Sequence, residues 1–131
     1  MPRVDWIASI IAAVSAFVLG GLWYSPLLFA KAWQREAGLS DEQLSAANKG
    51  KIFGLSFIAC LLGAVVFSMF VGPDPALGFA VGAGFAVGVF WVAGSFGVNY
   101  LFELKSAKLW LINGGYHAVQ FMLYGVIFGL I

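Results

Sequence analysis

The sequence predicts an all-α membrane protein: a four-transmembrane-helix bundle, with a short interfacial helix in the first cytoplasmic loop and both termini outside (N-out/C-out). Three observations carry that prediction. Mean hydropathy is +0.95, and 62% of the 131 residues are hydrophobic against 10% charged, far from the balance of soluble domains. Four apolar runs, at about 4–25, 46–71, 76–102 and 109–131, approach or exceed the ~20 residues needed to cross a ~30 Å hydrocarbon core. Basic residues then fall on one side: Lys31, Arg35, Lys49 and Lys51 in loop one and Lys105 and Lys108 in loop three, against Arg3 alone on the other. By the positive-inside rule, loops one and three are cytoplasmic, and the imbalance argues against dual insertion. The whole chain, 1–131, reads as one domain.

The first run ends at Trp23 and Tyr24, a pair suited to anchor at a membrane interface. Its length, and the aromatics and proline that follow it, argue against a cleaved leader. Ser25-Pro26 is a helix-start pattern, and Gly38 a helix-stop residue. An interfacial helix is therefore expected over 26–37, with Leu27, Leu28, Phe29 and Trp33 opposite Lys31, Gln34 and Arg35. Ser40-Asp41-Glu42-Gln43 fits a capping box. The second long helix is expected to start near Asp41, ahead of the membrane, and to run to Val71. Gly72-Pro73-Asp74-Pro75 makes the outer turn.

The third run is rich in glycine. On an uninterrupted helix Gly84, Gly88 and Ser95 share one face, continuing to Asn99 and Glu103. That face is expected to pack against another helix of the bundle, with Gly78 and Gly82 free for a second contact. The run is longer than the core is thick, so a tilt or a bend around 94–97 is expected.

The fourth run carries Asn113, Tyr116, His117, Gln120 and Tyr124. At ~100° per residue these five lie within an arc of about 100°. Polar groups in hydrocarbon need partners, so this stripe marks where a function would sit. Asn113, Tyr116, His117 and Gln120, with Asn99, Glu103, Trp23 and Tyr24, are the candidates for a ligand or ion pathway. His117 reads either as a neutral imidazole hydrogen-bonded between helices or as a group that titrates or touches a solute. Ligation of haem or metal by the single histidine would need two subunits. No cofactor, metal site or nucleic-acid partner is expected: the one cysteine, Cys60, sits inside a span, and net charge is only +1. HExxH, phosphate-loop, CxxC and Gly-x-Ser-x-Gly patterns do not occur in the chain.

Trp23-Tyr24-Ser25-Pro26 with Leu28-Phe29 and Trp33, Asn99-Tyr100-x-Phe102-Glu103, and Ile112-Asn113-Gly114-Gly115-Tyr116-His117 form a combination of motifs across nearly the whole chain. In these the chain resembles the bacterial "domain of unknown function 1761" family of small four-span membrane proteins. The resemblance implies a stand-alone four-helix domain in the bacterial inner membrane, and implies no particular activity.

From the residues, the favoured function is channel- or transporter-like, with a cytoplasm-facing polar pocket for an ion, proton or small solute. The alternative is a non-catalytic assembly or interaction subunit whose polar cluster is structural. A third reading is an intramembrane enzyme on a lipid or isoprenoid, with His117 and Glu103 as acid and base. Partners are then the bilayer itself and further copies of the chain in a homo-oligomer, since four helices leave little room for a pore.

Overall fold

In the computed structural model residues 4–131 are described, and among them every regular element is helical. The elements are α1 (Trp6–Trp23), α2 (Ala30–Ala37), α3 (Asp41–Ala46), α4 (Lys49–Val71), α5 (Leu77–Ala86), a π-helical segment (Val87–Ala93), α6 (Gly94–Phe102) and α7 (Ala107–Leu130). Arg3, which enters the charge comparison, lies outside the described residues. Three helices are long and apolar enough to cross a membrane: Trp6–Trp23, Lys49–Val71 and the continuous Leu77–Phe102. α7 has a similar length of 24 residues, but is not among them. Its polar stripe lowers its average hydropathy, and that stripe is turned toward the other helices.

Local chemistry explains most boundaries. Asp5 caps α1 by accepting from the Ala8 N–H at 3.0 Å. Gly38 ends α2 in the left-handed region at φ 72°. The Ser40 capping box forms, with Gln43 N–H donating to Ser40 Oγ at 3.1 Å and Ser40 N–H to Gln43 Oε1 at 2.8 Å. Two expectations are corrected. The interfacial helix begins at Ala30 rather than at 26, because the Ser25 hydroxyl donates back to the Leu22 carbonyl at 2.6 Å instead of capping forward. A run of turns fills the gap. The second long helix is not continuous from Asp41: α3 stops at Ala46, Ala47 is extended, and Asn48 caps a new helix by accepting from Lys51 N–H at 3.0 Å. Asparagine competes with helical hydrogen bonds in this way, which favours a break over a continuous rod.

α7 is the central element. The third span lies antiparallel to it, close enough for backbone to touch backbone. A Cβ at Gly84 would fall on the Phe121 carbonyl, and one at Gly125 on the Ala80 carbonyl. A Cβ at Gly88 would lie 2.7 Å from the Ala118 Cα, and one at Gly129 2.9 Å from the Leu77 Cα. Small residues four apart allow such an approach. On the other side, Ala8, Ala12 and Ala16 of α1 meet Ala64 and Phe67 of α4 and Tyr124 and Phe128 of α7 in one buried cluster. Phe17 holds α4 to α1 through Phe57, with ring centroids 5.5 Å apart. Outside the apolar helices, the Glu36 carboxyl is held below its ordinary range, chiefly by the Ser106 hydroxyl and also by Arg35 and Lys108. α2 itself is in contact with α7.

The expected face Gly84–Gly88–Ser95 holds for the two glycines and fails for Ser95, which is exposed. The π-helical segment is the reason. It accommodates an extra residue after Gly88, so Ala93 and Gly97 continue the α7-facing side while Ser95 and Asn99 turn outward. The irregularity thus lies just before the expected bend at 94–97, where regular helix has resumed.

Gly84→Ala is expected to destabilise the bundle by about 1–3 kcal/mol, since the new methyl would overlap backbone rather than a movable side chain. Gly82→Ala, where a Cβ meets nothing within 4 Å, is expected to be neutral or mildly stabilising by helix propensity. Thermal unfolding of both variants in the same detergent is the measurement.

Candidate functional site

The polar residues of α7 divide into three groups along the helix. At its N-terminal end the chain reversal after α1 carries Trp23 and Tyr24 over α7. The Tyr24 hydroxyl donates to Asn113 Oδ1 at 2.7 Å, and Asn113 Nδ2 donates to the Tyr100 hydroxyl at 2.8 Å. Trp23 Nε1 donates to the Ile112 carbonyl at 2.8 Å, and Trp110 Nε1 to the Ala93 carbonyl at 2.8 Å. Asn113 therefore ties α1 to α6 through α7, with both ends of its amide in use. The Tyr24 ring packs edge-on to Trp33 of α2, with centroids 5.8 Å apart.

One turn further on, the Tyr116 hydroxyl donates to the Ala16 carbonyl of α1 at 2.8 Å. The ring lies beside Gly20, where a Cβ would be in ordinary van der Waals contact with it at 3.5 Å.

The third group is a hydrogen-bonded chain that leads to α4. His117 Nδ1 is 2.6 Å from Gln120 Oε1; Gln120 Nε2 donates to the Tyr124 hydroxyl at 2.8 Å; and Tyr124 donates to the Cys60 carbonyl at 2.9 Å. An amide oxygen only accepts, so with this amide orientation the His117 proton sits on Nδ1. Gln120 Nε2 also faces Cys60 Sγ at 3.7 Å. Tyr124 is fully buried and Gln120 nearly so. The i, i+3 and i, i+4 spacings of 117, 120 and 124 stack the three along one face. Phe96 of α6 lies flat on the imidazole, with centroids 5.2 Å apart and an interplanar angle of 14°.

Six of the eight pathway candidates thus join these groups: Trp23, Tyr24, Asn113, Tyr116, His117 and Gln120. Asn99 and Glu103 do not. Both are exposed, and among the described residues neither side chain forms a hydrogen bond or an ion pair with another. Tyr100 occupies the place beside Asn113. Tyr100, Trp110, Phe96 and the Cys60 carbonyl complete the cluster and were not among the sequence-derived site residues. The signal for Tyr100 is a change of spacing among small residues, from four between Gly84 and Gly88 to five between Gly88 and Ala93.

Among the described residues no buried side-chain nitrogen or oxygen lacks a partner. Two surface clefts lie at opposite ends of the molecule. One of about 280 Å³ is lined by Gly97, Tyr100, Lys105, Ser106 and Trp110. The other, of about 490 Å³, is lined by residues including Asp5, Ser68, Asp74 and Phe128. Neither is lined by Asn113 or His117.

A family model described as "Protein of unknown function (DUF1761)" matches residues 7–129, and the chain belongs to that family. No curated protein and no solved structure matches it.

Tyr124→Phe removes one accepted and one donated hydrogen bond at a fully buried site. It is expected to cost about 0.6–2 kcal/mol, the range for interhelical hydrogen bonds in membranes. Asn99→Ala removes no hydrogen bond of the observed register and is expected not to destabilise the chain. Paired unfolding curves would check both; equal losses would contradict this division of the polar residues.

Proposed function

We propose that this member of the DUF1761 family is a four-span protein of the bacterial inner membrane that serves as a non-catalytic assembly or interaction subunit. α7 is taken as the fourth span because it follows α5 and α6 in antiparallel contact over their length. At 1.5 Å per residue its 24 residues measure about 36 Å, enough to cross. Loops one and three are assigned to the cytoplasm on their six basic residues. The termini are then outside.

One observation carries the functional reading: the polar side chains of α7 close onto groups of the same chain. Tyr24, Tyr100, the Ala16 carbonyl and the Cys60 carbonyl are their partners. A polar stripe satisfied in this way locks α1, α4 and α6 around α7. Apolar faces remain free for lipid or further copies: Ile52, Leu55 and Ile58 of α4 and Phe79 of α5 are exposed, and a Cβ at Gly54, Gly78 or Gly82 meets nothing. A homo-oligomer would use such faces.

The transporter-like reading keeps one specific support. His117 is engaged through Nδ1 alone, so among the described residues its Nε2 is uncommitted and available to a proton or solute. Acid–base chemistry on a lipid or isoprenoid finds no such support, because Glu103 is exposed and outside the His117 chain.

Two measurements on the same variants separate these readings. For an assembly subunit, Asn113→Ala and His117→Ala are expected to lower the melting temperature by several degrees. Proteoliposomes of the parent chain would then pass ions and solutes no faster than empty vesicles. Flux that His117→Ala abolishes at unchanged melting temperature would establish transport instead. For orientation, a cysteine at Ser45 in a Cys60→Ala background is expected to react with an impermeant maleimide only from the cytoplasmic side.

A further inference from the structure

The small residues that turn the third span toward α7 are Ala80, Gly84, Gly88, Ala93 and Gly97, spaced four, four, five and four apart. The five-residue step coincides with the π-helical Val87–Ala93. A π turn takes in one extra residue, so every position after it is rotated by about 100° relative to an uninterrupted α-helix. With Gly88 held in place, the observed register presents Ala93, Phe96, Gly97 and Tyr100 to α7. An uninterrupted helix would present Val92, Ser95, Phe96 and Asn99.

The two sets differ in kind. The observed register packs closely and pairs Tyr100 with Asn113. It leaves Ser95 and Asn99 exposed, without side-chain hydrogen bonds among the described residues, on a helix apolar enough to cross a membrane. Polar groups facing hydrocarbon are costly. The other register would bring Asn99 to Asn113 and Ser95 to His117, satisfying both. It would also put Phe96 at the place of Gly97, where a Cβ already lies 3.1 Å from Trp110 Nε1. α6 would then have to stand off from α7, and Trp110 would have to release the Ala93 carbonyl. Polar satisfaction thus favours one register and close packing the other.

We propose that the third span is a two-register switch hinged on Val87–Ala93, in which a one-residue slip exchanges Phe96 and Tyr100 for Ser95 and Asn99 opposite His117 and Asn113. The anchored half, α5 with Gly84 and Gly88, stays in place while α6 turns. Both ends of α6 fit this motion. A Cβ at Gly94 meets only the Val89 carbonyl, at 3.7 Å. Beyond α6, Leu104 sits in the left-handed region at φ 59°, in the exposed connection to α7. The cleft lined by Gly97, Tyr100, Lys105 and Trp110 borders the turning helix. Its widening would open a path from the loop-three end to Asn113 and His117. The switch applies to an assembly subunit and to a transporter alike.

Disulfide crosslinking tests it in a Cys60→Ala background, with Asn113→Cys combined with either Tyr100→Cys or Asn99→Cys. Both pairs are expected to crosslink within one chain. Deleting Trp91, an outward-facing residue of the π segment, removes the extra residue and keeps Ala93, Gly97 and Tyr100 toward α7 in a regular helix. It is expected to preserve the Tyr100 crosslink and reduce the Asn99 crosslink to background. Failure of the Asn99 pair to crosslink in the undeleted chain, or its persistence after the deletion, would overturn the switch. If the cysteine or deletion variants do not fold, NMR of the unmodified chain in micelles decides. The Ala93, Gly97 and Gly114 amides and the Trp110 indole are expected to exchange between two environments, with populations that Trp110→Phe alters. A single environment for all four would refute the proposal.

Discussion

The close approach of the third span to α7 is the constraint on which the rest of the structure depends. At Gly84 and Gly125 there is no space for even one methyl group between the two backbones. Lipid tails are as apolar as leucine side chains, so helices in a membrane gain little from apolar burial against one another and rely on tight contact and interhelical hydrogen bonds. Two antiparallel helices in backbone contact can slide only by steps that put side chains where glycine is required. That fixes α5 against α7; in the register set by the π turn beyond it, Gly114 lies opposite Ala93 and Trp110 opposite Gly97. Asn113 then falls beside Tyr100, and the opposite side of α7 is left for α1 and α4.

The polar stripe follows from the same placement. With one side of α7 occupied by glycine contacts, its polar groups point toward neighbouring helices. They find a mixed set of partners: a tyrosine pair, a backbone carbonyl of α1 and a backbone carbonyl of α4. The carbonyls of Ala16 and Cys60 lie within helices and can each accept a second bond through the remaining lone pair. The chain from His117 through Gln120 to Tyr124 runs along α7 and reaches α4 only at Cys60. α4 therefore needs only a small contact with α7, and packs mainly on α1 through Phe17 and the buried alanines.

Much of this could be read from the residues, with failures of one kind. Gly38, the Ser40 capping box and the 72–75 turn were legible because each depends on nearby residues. Ser25 reads as a helix start, but a hydroxyl can cap forward or bond back, and the tight reversal after α1 selects the latter. Asn48 reads as an ordinary polar residue until its side chain is seen to cap α4. Counting at a constant angle puts Ser95 and Asn99 on the packed face, and a single π turn shifts every later position off that count. Tyr100 enters the sequence reading only within the Asn99-Tyr100-x-Phe102-Glu103 motif, and its role as the partner of Asn113 depends on the rotated register.

Composition and hydropathy by themselves determined an all-helical, membrane-compatible chain, and the run of polar residues on α7 marked it as a helix whose side chains need partners. These properties are sums over many residues, insensitive to one residue more or less in a turn. The partners of the polar groups, the outward face of Asn99 and Glu103, and the break between α3 and α4 were decided only in the tertiary structure. Each depends on an angle or register set by contact with a distant segment, and one inserted residue changes that angle by about 100°.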